Sequence, residues 1–203
     1  AAPSTYRDIA RLRAMNQRAQ GIRPAADGKS YTTLRGNAIE RNSYTKDAPG
    51  ELLFEWKNDK ENRDIADYQF SPDGKLLLLS IGSEPIYRHS YTTDYYLKDA
   101  DGLRPILTDL SDTRDASFSP DGRTLYFCSA EQKEMPVRYK DVKYSLCSIA
   151  FHPEDGTFGE RIDTLISART LDKSISFPKP SFDGKYLMLY THEGGGYIPV
   201  SYT

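Results

Sequence analysis

Two cysteines, one tryptophan and three histidines are all that 203 residues hold of those types, and the scarcity removes whole classes of chemistry. Cys128 and Cys147 lack a Cys-x-x-Cys companion, and His89, His152 and His192 lie far apart, so no metal-ligand spacing is present. No apolar run approaches the roughly 18 residues of a membrane-crossing helix. The formal charge is only −2, with 27 basic and 29 acidic residues of mixed order; such a chain lacks the basic field that recruits phosphate backbones, which argues against nucleic acid as a partner. No Gly-x-Ser-x-Gly elbow occurs to expose a nucleophile. Gly28-Lys29-Ser30 lacks the upstream glycine spacing of a phosphate loop. The expectation is a chain with no catalytic residue, no metal site and no cofactor of its own.

What the sequence does contain is a returning phrase. Phe70-Ser71-Pro72-Asp73-Gly74 precedes a leucine run, Phe118-Ser119-Pro120-Asp121-Gly122 precedes another apolar run, and Ser181-Phe182-Asp183-Gly184 precedes Tyr186-Leu187-Met188-Leu189-Tyr190. Proline pre-sets φ at the second position of a turn, aspartate caps the turn with its side chain, and glycine supplies a positive φ before the next strand. Each copy therefore reads as a hairpin joining two antiparallel strands. Asp-Gly pairs at 27/28, 73/74, 121/122 and 183/184 are spaced by 46, 48 and 62 residues, close to the period of a four-stranded propeller blade.

One blade reads whole: Ile65 to Phe70, Lys75 to Ile81, Asp94 to Asp99 and Leu103 to Thr108. Its second strand carries Leu76-Leu77-Leu78-Leu79, apolar on both faces, as suits a strand with sheets packed on either side. The next blade reads as Arg114 to Phe118, Arg123 to Cys128, Lys143 to Phe151 and Phe158 to Ile166, with a polar excursion from Glu131 to Asp141. Upstream, Lys29 to Leu34, Ala38 to Tyr44 and Glu51 to Glu55 give three strands around an Asp47-Ala48-Pro49-Gly50 turn. Downstream, Ser174 to Lys179 and Lys185 to Tyr190 give two. The fold class is all-β: a β-propeller portion of about three and a half four-stranded antiparallel blades. Closed propellers have roughly four to eight blades, so the chain forms a minimal ring, presents bare blade faces to a partner, or is part of a longer polypeptide, the last being the expectation.

Residues 1 to 20 differ. Ile9, Leu12 and Met15 recur at helical spacing, Thr5-x-x-Asp8 has the form of a capping box, and Arg7, Arg11, Arg13 and Arg18 make the stretch basic. The domain reading is a basic N-terminal leader or helix over 1–20 and propeller blades over 21–203. Ala1-Ala2-Pro3-Ser4 has neither the charged start nor the apolar core of a signal peptide, so the chain is either cytoplasmic or lost its signal before residue 1. Cys128 and Cys147 fall on neighbouring strands and read as buried free thiols, with a cross-strand disulfide the alternative if their side chains share a face. Gly194-Gly195-Gly196 after His192 and Glu193 reads as a flexible turn.

Two resemblances follow from longer stretches. Glu84-Pro85-Ile86-Tyr87-Arg88-His89-Ser90-Tyr91-Thr92-Thr93-Asp94-Tyr95-Tyr96, with Pro24 to Thr32 and Tyr68 to Leu79, resembles the propeller of dipeptidyl peptidase IV in the prolyl oligopeptidase family, over about residues 20–127. In that family the arginine of the Arg-His-Ser-Tyr segment bonds a peptide carbonyl in the substrate cavity, so the resemblance implies Arg88 as a substrate-binding residue; a guanidinium suits carbonyl recognition. The bland alternative is an arginine stacked on Tyr87 or Tyr91. The family also uses a paired-glutamate segment to hold a free amino terminus, and no Glu-Glu pair occurs here. Tyr139 to Phe151, Asp155 to Gly159 and Ser174 to Leu187 instead resemble TolB-like propeller-repeat proteins, over about residues 128–198.

The first resemblance implies the non-catalytic propeller of a serine dipeptidyl peptidase, gating or binding peptide beside an α/β-hydrolase domain. The second implies a cell-envelope protein-interaction propeller without peptidase activity. Both imply a peptide or protein ligand and a periplasmic or extracellular, envelope-associated setting. A junction of two unlike segments near residue 128 is a third reading.

Overall fold

The computed structural model of the chain describes residues 20–45, 49–57, 63–82, 93–110, 112–130 and 143–192. Fourteen strands and one short helix are present among them. Sheet one holds β1 (Gln20–Pro24), β2 (Ser30–Arg35), β3 (Ala38–Ser43) and β4 (Glu51–Glu55); sheet two holds β5 (Asp64–Phe70), β6 (Leu77–Gly82), β7 (Thr93–Lys98) and β8 (Leu103–Ile106). Sheet three holds β9 (Thr113–Phe118), β10 (Thr124–Ala130), β11 (Tyr144–His152) and β12 (Thr157–Ile166); helix α1 (Ala168–Leu171) leads to a two-stranded fourth sheet of β13 (Ser174–Pro180) and β14 (Leu187–His192). All pairings are antiparallel and every sheet keeps sequence order. This is the meander of successive propeller blades.

The repeated phrase folds as its chemistry predicts. The Ser71 hydroxyl donates to Asp73 Oδ1 at 2.6 Å, the same oxygen accepts the Lys75 N–H at 3.0 Å, and Ser71 Oγ accepts the Leu76 N–H at 3.0 Å. The same three bonds recur around Ser119 and Asp121 and around Ser181 and Asp183. In the first turn Ala25 stands where the others have serine, and Ser30, five residues on, donates its hydroxyl to Asp27 at 2.7 Å instead. The serine hydroxyls and turn amides hold the carboxyls of Asp73, Asp121 and Asp183 below the usual carboxylate range.

The apolar core lies between sheets. Leu77, Leu79 and Ile81 pack toward sheet one with Leu34, Ile39 and Trp56, whereas Leu76 and Leu78 pack toward sheet three with Leu125, Phe127 and Phe151. The four-leucine run is thus buried on both faces, as a middle blade requires. Sheets three and four share a smaller cluster of Cys128, Tyr144, Leu146 and Ile175.

Two elements depart from the sequence reading. The first sheet has a fourth strand, β1, in a segment rich in strand-averse residues. Gly21 supplies a positive φ of 59° at an irregularity in the pairing, and Pro24 sits at the strand's last position, where its missing N–H does no harm. Helix α1 is one turn long, with Ser167 accepting the Thr170 N–H as N-cap and Asp172 left-handed at its end. Cys147 lies opposite Phe127, and Cys128 opposite Leu146. The two cysteines therefore occupy opposite faces of sheet three, and both are buried free thiols.

Candidate functional site at the loop end of the ring

The first strands of successive sheets touch one another, which places β1, β5, β9 and β13 innermost. Arg23 of β1 pairs with Asp67 of β5 at 2.5 Å, and its guanidinium lies 4.5 Å from the centroid of the Tyr68 ring. Tyr68 donates its hydroxyl to the Gly21 carbonyl at 2.5 Å. The Gln69 side chain accepts the Phe118 N–H of β9 at 3.1 Å, and Asp115 of β9 accepts the Phe177 N–H of β13 at 3.0 Å.

Every innermost strand is bulged. Register shifts fall between Gln20 and Arg23, between Ile65 and Asp67, and between Ser176 and Lys179; in β9, Ser117 and Arg114 oppose Tyr126 and Cys128, which leaves Asp115 and Ala116 as the bulge. Gly21, Asp115 and Phe177, each three residues before the end of its strand, have φ of 59°, 56° and 52°. Asp67 is the equivalent residue of β5. A bulge bends its strand and re-aims a side chain, here once per sheet on the innermost strand. The consequence is a cluster of mixed charge beside an aromatic. Asp67 and Arg23 are substantially exposed, Asp115 is half-buried, and Phe177 is 62% exposed.

Burial pushes the Asp115 carboxyl above the usual carboxylate range, with the Phe177 N–H and the Arg114 charge opposing. Next to it, the Arg114 guanidinium lies 4.3 Å from the Tyr144 ring centroid and its Nε 3.5 Å from Asp112, which also accepts the Tyr144 hydroxyl. Burial, and then Asp112, raise the Tyr144 phenol. Burial likewise pushes the Tyr95 phenol, which accepts the Ala116 N–H, up to about 12.

In sheets two and three, topology gathers the longer connections at one end. Connections from first to second and from third to fourth strands in sheets two and three are short turns, with glycines of positive φ at 74, 102, 122 and 156. Residues 83–92 leave and rejoin sheet two at the Gly82–Thr93 pair, and residues 131–143 do so in sheet three at Ala130 and Tyr144. The links between sheets start from the ends of β4, β8 and β12 and rejoin at the starts of β5, β9 and β13, at the same end. Arg88 and His89 fall within 83–92 and so lie outside the described residues, as do Gly194 to Gly196, residues 1–19 and the excursion from Glu131 to Asp141. His152 and His192 are exposed on different sheets. Among the described residues, no group of three or more His, Cys, Asp or Glu is arranged to hold a metal, and no helix is long and apolar enough to cross a membrane.

Sequence reading missed Arg23, Asp67, Asp115 and Phe177. The signal was present, since Asp67 and Asp115 both stand three residues before the phenylalanine of their repeats. It went unseen because a bulge breaks the alternation that assigns a side chain to a face.

Two strips of apolar surface bound this arrangement. Phe182, Tyr186, Met188 and Tyr190 are exposed on and beside the fourth sheet, and Ile22, Tyr44 and Leu52 on the first.

Comparison with known proteins extends this picture. A family described as "Dipeptidyl peptidase IV (DPP IV) N-terminal region" matches residues 71–132, from the turn of sheet two into the connection after β10. TolB from Acinetobacter baumannii superposes with a TM-score of 0.57 at 18% identity, over 89% of this chain and 39% of its own. Kuenenia stuttgartiensis hydrazine synthase gives 0.53 at 19% identity, over 84% of this chain and 49% of its own. Porphyromonas gingivalis dipeptidyl peptidase 4 gives 0.45 at 18% identity, over 95% and 39%. The chain thus spans well under two thirds of these structures. Its β-propeller fold is common to TolB, and residues 71–132, from the turn after β5 to just past β10, resemble the N-terminal region of the dipeptidyl peptidase IV family.

Proposed function

We propose that this propeller portion binds a peptide segment at its loop end, as the non-catalytic part of a dipeptidyl peptidase IV-like serine exopeptidase whose hydrolase domain lies on other sequence. The observation that carries the reading is the family match over residues 71–132. That span includes the 83–92 connection with Arg88, which leaves the sheet at the end where the other long connections gather. Arg88 is proposed to bond a peptide carbonyl there. Arg23, Asp67 and Asp115 add charge of both signs near the axis, a surface suited to the ends and backbone of a peptide. The exposed apolar strips on the first and fourth sheets support further blades as neighbours. The setting proposed is periplasmic or extracellular, associated with the cell envelope.

A fluorescent peptide with a free amino terminus, titrated against the chain by anisotropy, tests this reading. Saturable binding is expected, weakened about tenfold or more by Arg88→Ala, the worth of one charge-assisted hydrogen bond, with no hydrolysis by the chain alone. Undiminished binding in Arg88→Ala would overturn the role given to that residue. Indifference to acetylation of the amino terminus would favour the second reading, a TolB-like envelope protein-interaction propeller without peptidase activity, which rests on the resemblance of residues 128–198.

A further inference from the structure

We propose that the Asp101–Gly102 peptide bond is a modification site, the one of six Asp-Gly pairs that the native fold leaves open to rearrangement into an isoaspartyl linkage. The pairs stand at 27/28, 73/74, 101/102, 121/122, 155/156 and 183/184. In each, glycine has no side chain to obstruct the approach of its nitrogen to the preceding carboxyl. Sequence therefore makes all six candidates, and the fold discriminates among them.

The step is a condensation followed by a hydrolysis. The Gly102 nitrogen gives up its proton to water and bonds to Cγ of Asp101, whose neutral carboxyl loses its hydroxyl as water, and a five-membered succinimide results. Water then opens the ring. Entry at the Cγ carbonyl restores aspartate; entry at the main-chain carbonyl leaves the chain running through Cγ, one methylene longer, with a free α-carboxylate. One water leaves and one returns, and nothing is oxidised. Hydrogen bonds that keep the carboxyl ionised and turned away, or that bind the glycine N–H into the backbone, oppose ring closure.

Five pairs are closed in both ways. Asp27 accepts the Lys29 and Ser30 N–H groups at 2.9 Å, Asp73, Asp121 and Asp183 each hold a serine hydroxyl at 2.6 Å, and Asp155 holds the Thr157 hydroxyl at 2.6 Å and its N–H at 3.0 Å. These bonds keep all five carboxyls below the usual carboxylate range. In all five the glycine N–H donates to a backbone carbonyl, at 2.8–3.1 Å.

The pair at 101/102 is the counterpart of that at 155/156. Both occupy four-residue turns from third to fourth strand, one closed by the Lys98–Leu103 pair and the other by the His152–Thr157 pair. Where Thr157 offers a hydroxyl, Leu103, 42% exposed, offers none. Asp99 stands in place of Pro153, and its Oδ1 accepts the N–H groups of both Asp101 and Gly102, at 2.9 and 3.0 Å. The Gly102 N–H is thereby drawn out of the backbone pattern onto a shared side-chain oxygen, and Gly102 takes a φ of 145° against 70° at Gly156. Asp101 is exposed, and among the described residues no group donates to its carboxyl. Arg104, two residues past Gly102, bonds both Asp99 and the Gly156 carbonyl, so the added methylene would fall in a turn that ties sheet two to sheet three.

Ageing the folded chain at neutral pH, and measuring the isoaspartyl content of each Asp-Gly peptide by enzymatic methyl transfer and electron-transfer fragmentation, tests the assignment. Asp101 is expected to convert at least about tenfold faster than any of the other five, with the six rates drawing together in denaturant. Leu103→Thr supplies the hydroxyl found at Thr157 and is expected to slow conversion at Asp101 about tenfold in the folded protein. Ser181→Ala removes the hydroxyl from Asp183 and is expected to raise conversion there, and it decides alone if Leu103→Thr does not fold. A second pair converting as fast as Asp101 in the native chain, the same spread of rates in denaturant, an undiminished rate in folded Leu103→Thr, or an unchanged rate at Asp183 in Ser181→Ala would each overturn the proposal.

Discussion

Asp115 accepts the backbone N–H of Phe177 at 3.0 Å across 62 residues of sequence, joining the bulge of β9 to the bulge of β13. Both residues hold left-handed φ, which side chains of this kind adopt at a cost. The bond ties the two-stranded fourth sheet to the third at the innermost strand, where Ser174 also accepts the Tyr144 N–H at 3.0 Å.

Because burial raises the Asp115 carboxyl, its contribution to stability is complete below the unfolded carboxylate value and is lost as pH rises through the folded one. Asp115→Asn keeps an acceptor for the Phe177 N–H and removes the ionisation. It is expected to raise the thermal midpoint at pH 7, with the gain over the parent vanishing below about pH 3.8, where the parent carboxyl is itself neutral. A variant less stable than the parent at pH 7 would show that the negative charge, rather than the acceptor, holds the fourth sheet.

The turn serines behave in the opposite sense. The Ser119 hydroxyl is the leading cause of the lowered Asp121 carboxyl. A depressed carboxyl contributes stability that is present above its unfolded value and lost as pH falls through the folded one. Ser119 is 6% exposed, bonding Asp121 and the Thr124 N–H, and Ser119→Ala is expected to cost about 1–3 kcal/mol in denaturant unfolding. Ser181→Ala, in the exposed fourth turn, is expected to cost less, since water replaces the lost partner. Equal costs would mean that burial does not set the value of this turn.

Most of the strand plan was legible because turn chemistry is local. Ser-Pro-Asp-Gly needs no distant partner to specify a hairpin, and the apolar run at Leu76 then fixes its neighbours. Strand β1 was hidden because its partners are distant: Arg23 is held by Asp67 and Tyr68, 44 and 45 positions later. The axial residues were hidden for a related reason, since only the bulges turn them inward.

The two thiols were left open by sequence because adjacent strands alone do not decide whether side chains share a face. Register does: with Phe127 opposite Cys147 and Leu146 opposite Cys128, a one-residue offset sends them to different inter-sheet cores, and the short Cβ–Cβ approach of a disulfide is unavailable. Burial, with Asp115 nearby, also pushes the Cys128 thiol up to about 12, so little thiolate is present near neutral pH. Native protein treated with a mild oxidant is therefore expected to keep both thiols, counted by mass after alkylation in denaturant. Alkylation of the folded protein should spare Cys128, which is fully buried, until denaturant reaches the unfolding transition. A Cys128–Cys147 disulfide peptide recovered from oxidised native protein would require β10 and β11 to pair out of the register found here, with one of the two strands turning its core residues, Leu125 and Phe127 or Ile149 and Phe151, away from the core between sheets two and three.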